Sequence, residues 1–121
     1  MNFQKKVNKN NYVREYVRVL NGLLDLTPRE MEVLTEMIKV DMAWVPRTAS
    51  EVKNVLSTDS RRSVLKETNM GKSNFTKILN KLISIGLLVL STDNKYIIND
   101  LLKPKIDSKG KVEVRFVLDV E

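Results

Sequence analysis

Residues 72–85, KSNFTKILNKLISI, hold the chain's densest set of groups able to bind an anion or a nucleotide edge. On a helical wheel they place Phe75, Ile78, Leu79 and Leu82 on one side. Ser73, Lys77, Asn80, Lys81 and Ser84 fall on the other, with Asn74 on the flank and Lys72 at the opening. Hydroxyls, amides and amines are the groups that bond to phosphate oxygens and base edges. No acid stands among them, whereas a helix face built for solubility usually mixes Glu with Lys. The chemistry implied is recognition of a polyanion. The competing reading is a solvated surface on a domain that binds protein.

No comparable set supports catalysis. Gly71-Lys72-Ser73 matches the end of a phosphate-binding loop, but that loop needs a glycine five residues earlier, where Lys66 stands, and a preceding strand. The 121 residues include no Cys and no His. Thiol chemistry, Ser-His-Asp chemistry and Cys-containing zinc sites are therefore excluded. Acid pairs such as Glu30/Glu32 and Asp93/Asp100 lack the spacing or setting of a glycosidase or metal site. The expectation is a protein that binds, with no enzymatic activity and no cofactor.

Charge along the chain sharpens this. The net charge is +6, from 21 basic and 15 acidic residues. Residues 60–86 carry six basic groups against the single Glu67, a balance of +5. Residues 28–59 balance at −2, residues 87–121 at zero and residues 1–27 at +3. A cluster on one supersecondary unit is an electrostatic footprint, where an even scatter would signal only solubility. No apolar run approaches a membrane span and residues 1–20 are too polar for a signal peptide. A soluble protein of the bacterial cytoplasm, with no membrane partner, is expected.

The elements that must position these groups follow from periodicity and capping. Residues 1–10, with Lys5, Lys6 and Lys9, are expected to form a flexible basic arm, as a solubilising tail or a DNA-contacting one. Phe3 falls within it. Residues 11–121 form one domain. Over 12–26 the spacing of Tyr12, Tyr16, Leu20, Leu23 and Leu24 is helical, yet Tyr/Val alternation over 12–19 also suits a strand. The reading adopted is an extended start passing into helix by Val19. Thr27, Pro28 and Glu30 form a capping box opening a helix over about 28–42. Thr48 and Glu51 repeat the pattern, predicting a short helix at 49–56 with Val52, Val55 and Leu56 inward. Ser60 to Thr68 is a further helix, and Asn69-Met70-Gly71 a tight turn whose Asn and Gly tolerate left-handed backbone. A longer helix then runs to about Ile85, with Gly86 as its stop. Leu87 to Leu90 and Tyr96 to Ile98 form a hairpin over 87–99. Val112, Val114, Phe116 and Leu118 alternate, which predicts a C-terminal strand over 111–120. Trp44, Phe75 and Phe116 are expected in the core. The fold class is mainly α with a small antiparallel β unit (α+β).

Helix, glycine-containing turn, longer helix and hairpin, in VLKETNMGKSNFTKILNKLISIGLL followed by YIIN, resemble a winged helix-turn-helix domain across residues 28–100. YVREYVRVLNGLLDLTPREMEVLTEMI and NKYIINDLLKPK are similar to small plasmid and phage replication initiators of winged-helix type. Those close the wing with Tyr-x-Ile-Asn-Pro, whereas here Asp100 follows Asn99.

The resemblance implies a helix-turn-helix over 60–86 with its second helix, 72–85, in the major groove of double-stranded DNA. Asn74, Lys77 and Asn80 would then read base edges. Ser73, Lys81, Arg61 and Arg62 would take phosphates, with Lys72 beside them and Lys95 at the wing tip. Arg61 and Arg62 are alternatively placed to pair with Glu30, Glu32 or Glu36. The functions implied are transcriptional regulator or plasmid or phage replication initiator, working with transcription or replication machinery. A homodimer through residues 11–26 or the C-terminal strand is compatible with either. The rival is a winged-helix protein-interaction module inside a virion or replisome assembly.

Overall fold

The computed structural model describes residues 4–121. Phe3 and the first two residues of the expected arm lie outside the described residues. Four helices come first: α1 (Tyr12–Leu24), α2 (Pro28–Ala43), α3 (Thr58–Thr68) and α4 (Lys72–Ser84). The hairpin strands β1 (Leu88–Leu90) and β2 (Tyr96–Ile98) follow, then a 3-10 turn at Asp100–Leu102. The protein is mainly α with one two-stranded antiparallel hairpin.

The central element is α2, which packs against α1, α3, α4 and β2. Its start is fixed by the expected capping box: Thr27 accepts from the Glu30 N–H, and Glu30 accepts in return from the Thr27 N–H. Val33, Leu34, Met37 and Ile38 are fully buried on it, joined by Val17, Val64, Leu82, Leu88 and Ile98 from the surrounding elements. Each such side chain contributes about 1.5–3 kcal/mol by leaving water.

α1 is helical from Tyr12, not from Val19. Val13 and Val17, one turn apart, bury against the core, and this tertiary contact overrides the strand-like Tyr/Val alternation. Asn8 prepares the start, its backbone carbonyl accepting from the Tyr12 N–H and its side chain from the Asn11 N–H. Asn21 grips the Leu26 backbone at both N–H (2.7 Å) and C=O (3.1 Å), which sets the corner into α2.

The expected helix at 49–56 does not form. Glu51 accepts from the Arg47 N–H, and the following residues are drawn into tertiary bonds. Lys53 reaches Asp41 at 2.9 Å, and the Val55 N–H donates to the Tyr96 carbonyl at 3.0 Å. Val55 is buried, whereas Val52 is exposed. Trp44 is only half-buried, with the Lys53 ammonium 5.8 Å from its ring centre.

Asp41 is 1 % exposed and accepts from three parts of the chain: Lys53, Lys103 at 2.8 Å and the Ile98 N–H at 3.0 Å. Burial pushes its carboxyl pKa up, but the Lys103 ammonium, the Ile98 N–H and Lys53 outweigh that and hold it below the ordinary value. It thus ties the hairpin and the segment after it to α2.

β1 and β2 pair with Leu88 opposite Ile98 and Leu90 opposite Tyr96. Tyr96 C=O and Ile98 N–H point away from β1 and are taken by Val55 and Asp41, so β2 has no open edge there. Asn99 joins hairpin to α4: its N–H donates to the Leu87 carbonyl and its side-chain amide to that of Gly86. It also caps the 3-10 turn by accepting from the Leu101 N–H.

The expected strand over 111–120 is absent, and the sheet has two strands. A turn at 107–111 reverses the chain, with the Asp107 N–H bonded to the Lys111 carbonyl. Beyond it no second strand among the described residues lies alongside to share backbone bonds, so the alternating pattern finds no ladder. Phe116 is 44 % exposed and not a core residue. No described helix is long and apolar enough to cross a membrane.

Candidate nucleic-acid interface

Between α3 and α4 the chain turns at Asn69, which takes the left-handed conformation (φ 50°). Gly71 does not: its φ of −71° is that of an ordinary extended N-cap. Of the two residues expected to tolerate left-handed backbone in this turn, the asparagine alone adopts it. Met70 is buried in this corner. The far end of α4 stops at Gly86 (φ 84°), where the Gly86 and Leu87 N–H groups bond back to Ile83 and Leu82.

α4 buries Phe75, Ile78, Leu79 and Leu82, whereas Ile83, also expected in the core, is only half-buried at its edge. Lys72, Ser73, Asn74, Lys77, Asn80 and Ser84 are exposed. Thr76 joins them, its hydroxyl donating to the Lys72 carbonyl. It is an additional exposed hydroxyl, which helical spacing alone places on the flank opposite Asn74. No side chain caps the first turn of α4, and it contains no acid. Its leading N–H groups thus take no bond from a cap side chain, and Lys72 stands beside them.

Lys81 differs from its neighbours. Its ammonium is bonded to Glu30 at 2.7 Å, across from α4 to the start of α2. The Lys81 bond, followed by the Thr27 N–H, holds the Glu30 carboxyl below its usual pKa. Fifty-one residues separate the two, so no local pattern announces the pair.

Arg61 and Arg62 are exposed on the first turns of α3. Neither pairs with Glu30, Glu32 or Glu36: Glu32 is bonded to Arg29, Glu36 to Lys39 and Glu30 to Lys81. Arg62 lies 3.8 Å from Asp59, a surface pair of little energy that leaves its guanidinium available. Among the described residues Arg61, Lys66, Lys72, Lys77 and Lys95 have no carboxylate within ion-pair distance. Lys95 is exposed in the hairpin turn, where its carbonyl accepts from the Ser91 N–H.

The rest of the surface is charged differently. Lys5 and Arg18 pair with Glu15, whose carboxyl the Lys5 bond, ahead of its other basic neighbours, helps hold below the usual pKa. The groove between α1, α2 and the end of α3 mixes Arg14, Arg18 and Lys39 with Glu32, Glu36 and Glu67. Basic groups without an ion-pair partner among the described residues include Arg61 and Lys66 on α3, Lys72 and Lys77 on α4, and Lys95 at the hairpin tip beside Asp93; of these elements only α4 has no acid.

No protein-family model, no curated protein and no solved structure matches this chain.

Proposed function

We propose that this protein is a winged helix-turn-helix protein that binds double-stranded DNA sequence-specifically, as a transcriptional regulator or a plasmid or phage replication initiator. The observation that carries the reading is the outward face of α4: hydroxyls, amides and unpaired amines, no acid, above a fully apolar buried face. Thirteen residues make a helix about 20 Å long, a size that a major groove about 12 Å wide admits. Asn74, Lys77 and Asn80 read base edges in this arrangement. Ser73, Lys72, Arg61 and Arg62 take phosphates, helped by the uncapped first turn of α4. Lys95 contacts the backbone or minor groove from the hairpin tip. The protein works by binding and recruitment, without catalysis.

The test is selection of a site from random duplexes at low salt, followed by salt-titrated gel shifts. Lys72→Ala should flatten the dependence of log affinity on log salt by about 0.9, the signature of one lost phosphate contact. Asn80→Ala should relax preference at one base pair by about 1–3 kcal/mol. Absence of duplex binding at low salt, or binding unchanged by Lys72→Ala combined with Lys77→Ala, would replace this reading with a protein-interaction module of a virion or replisome. A selected site that maps to a replication origin marks an initiator; one that maps to a promoter marks a regulator.

A further inference from the structure

We propose that residues 111–117 pair antiparallel with the same residues of a second copy, so that the protein forms a symmetric dimer through its C-terminal segment. Beyond the 107–111 turn the chain follows a period of two. Val112 and Val114 are half-buried, while Lys111, Glu113 and Arg115 are exposed. That is the burial pattern of a strand lying with one face on a domain. Yet the backbone of residues 112–121 makes no hydrogen bond to any described residue. Phe116 is 44 % exposed, and beyond it the apolar side chains stand in solvent, with Leu118 83 % and Val120 94 % exposed. The outer side of β2 offers no place for this segment, since Val55 and Asp41 already occupy it.

The sequence VEVRF, residues 112–116, is complementary to itself when reversed. Centred on Val114, an antiparallel pair sets Val112 opposite Phe116 of the other copy, twice, and the two Val114 residues opposite each other. Glu113 then faces Arg115 of the other copy, also twice. Cross-strand neighbours of this kind are the unit of sheet stabilisation, and opposite charges in register favour the pairing. Neither Glu113 nor Arg115 has an ion-pair partner within its own chain among the described residues. The turn bonded through Asp107 and Lys111 limits the ribbon at its near end. Phe116 comes to rest over the partner's Val112, where a domain face lies beneath it. The interface is isologous, as a two-fold dimer requires.

Charge reversal tests this on the full chain, with no DNA present, so the outcome is separate from that of the DNA reading. Sedimentation of the native protein should show a concentration-dependent dimer. Glu113→Arg places Arg against Arg115, and Arg115→Glu places Glu against Glu113. Each should weaken the dimer roughly tenfold or more, while the double variant E113R/R115E restores it. Both side chains are exposed, and circular dichroism should confirm unchanged folds. Val114→Cys supplies a second measurement: the chain has no cysteine, so any disulfide formed joins two copies at the symmetry axis. A monomer at all concentrations, a dimer indifferent to the reversals, or a double variant that fails to recover would overturn the proposal.

Discussion

Glu30 Oε1 accepts two hydrogen bonds, one from the Thr27 N–H at 2.9 Å and one from Lys81 Nζ at 2.7 Å. A single carboxylate oxygen therefore closes the N-terminus of α2 and holds the flank of α4 against it. Lys81 is spent on the fold, while Lys77, one turn earlier, has no ion-pair partner among the described residues.

Glu30→Gln separates these two duties, because glutamine still serves in a capping box while losing the charge that holds Lys81. Stability should fall by about 0.5–1 kcal/mol, since the lysine end of the pair is partly solvated. Under the DNA reading, the released Lys81 should tighten binding at low salt and steepen the salt dependence by about 0.9. Glu30→Ala removes the cap as well and should cost about 1–2 kcal/mol in total. Thermal melts and gel shifts on the same preparations give both quantities.

Acid should unfold the protein through its paired carboxylates. Asp41 and Glu30 have folded pKa values below their ordinary 3.8 and 4.5, so their stabilisation is intact above those values. It is lost as pH falls through the lowered folded values. The melting temperature should hold between about pH 7 and 5 and drop below that. Asp41→Asn leaves Lys53 and Lys103 without their counter-charge and should cost about 2–4 kcal/mol at neutral pH. Its difference from the native protein should shrink in acid. A constant difference down to the acid transition would show that the charge on Asp41 is immaterial.

At the α3–α4 corner the backbone distinguishes Asn69 from Gly71. Asn69→Val forces a β-branched residue into left-handed backbone and should cost about 1–2 kcal/mol. Asn69→Gly should cost little. Gly71→Ser, at an N-cap with ordinary φ and open space around a Cβ, should stabilise by a few tenths of a kcal/mol, roughly. Chemical denaturation resolves all three.

Much of this architecture is legible before any coordinates. Thr27, Pro28 and Glu30 announce α2 because capping is local chemistry, and the burial of Phe75, Ile78, Leu79 and Leu82 follows from period alone. The failures are tertiary. Thr48 and Glu51 mimic the same cap, but Lys53 and Val55 are drawn away to Asp41 and Tyr96, partners distant in sequence. Val112, Val114 and Phe116 have the alternation of a strand, yet a strand also needs a neighbour, which periodicity cannot supply. In the candidate site, the exposure of Ser73, Lys77 and Asn80 was legible from the wheel. The tether on Lys81 was not, since it depends on how α2 and α4 meet.

Asp41 also bears on the order in which the chain assembles. The Ile98 N–H lies 57 residues on and Lys103 beyond it, so both require closure of a long stretch of chain, whereas Lys53 is 12 away. Until the hairpin packs on α2, water can solvate that carboxylate. Packing of the hairpin on α2 and loss of water from Asp41 therefore go together, and the long loop they close costs the more chain entropy. Asp41→Asn should accordingly speed unfolding far more than it slows folding.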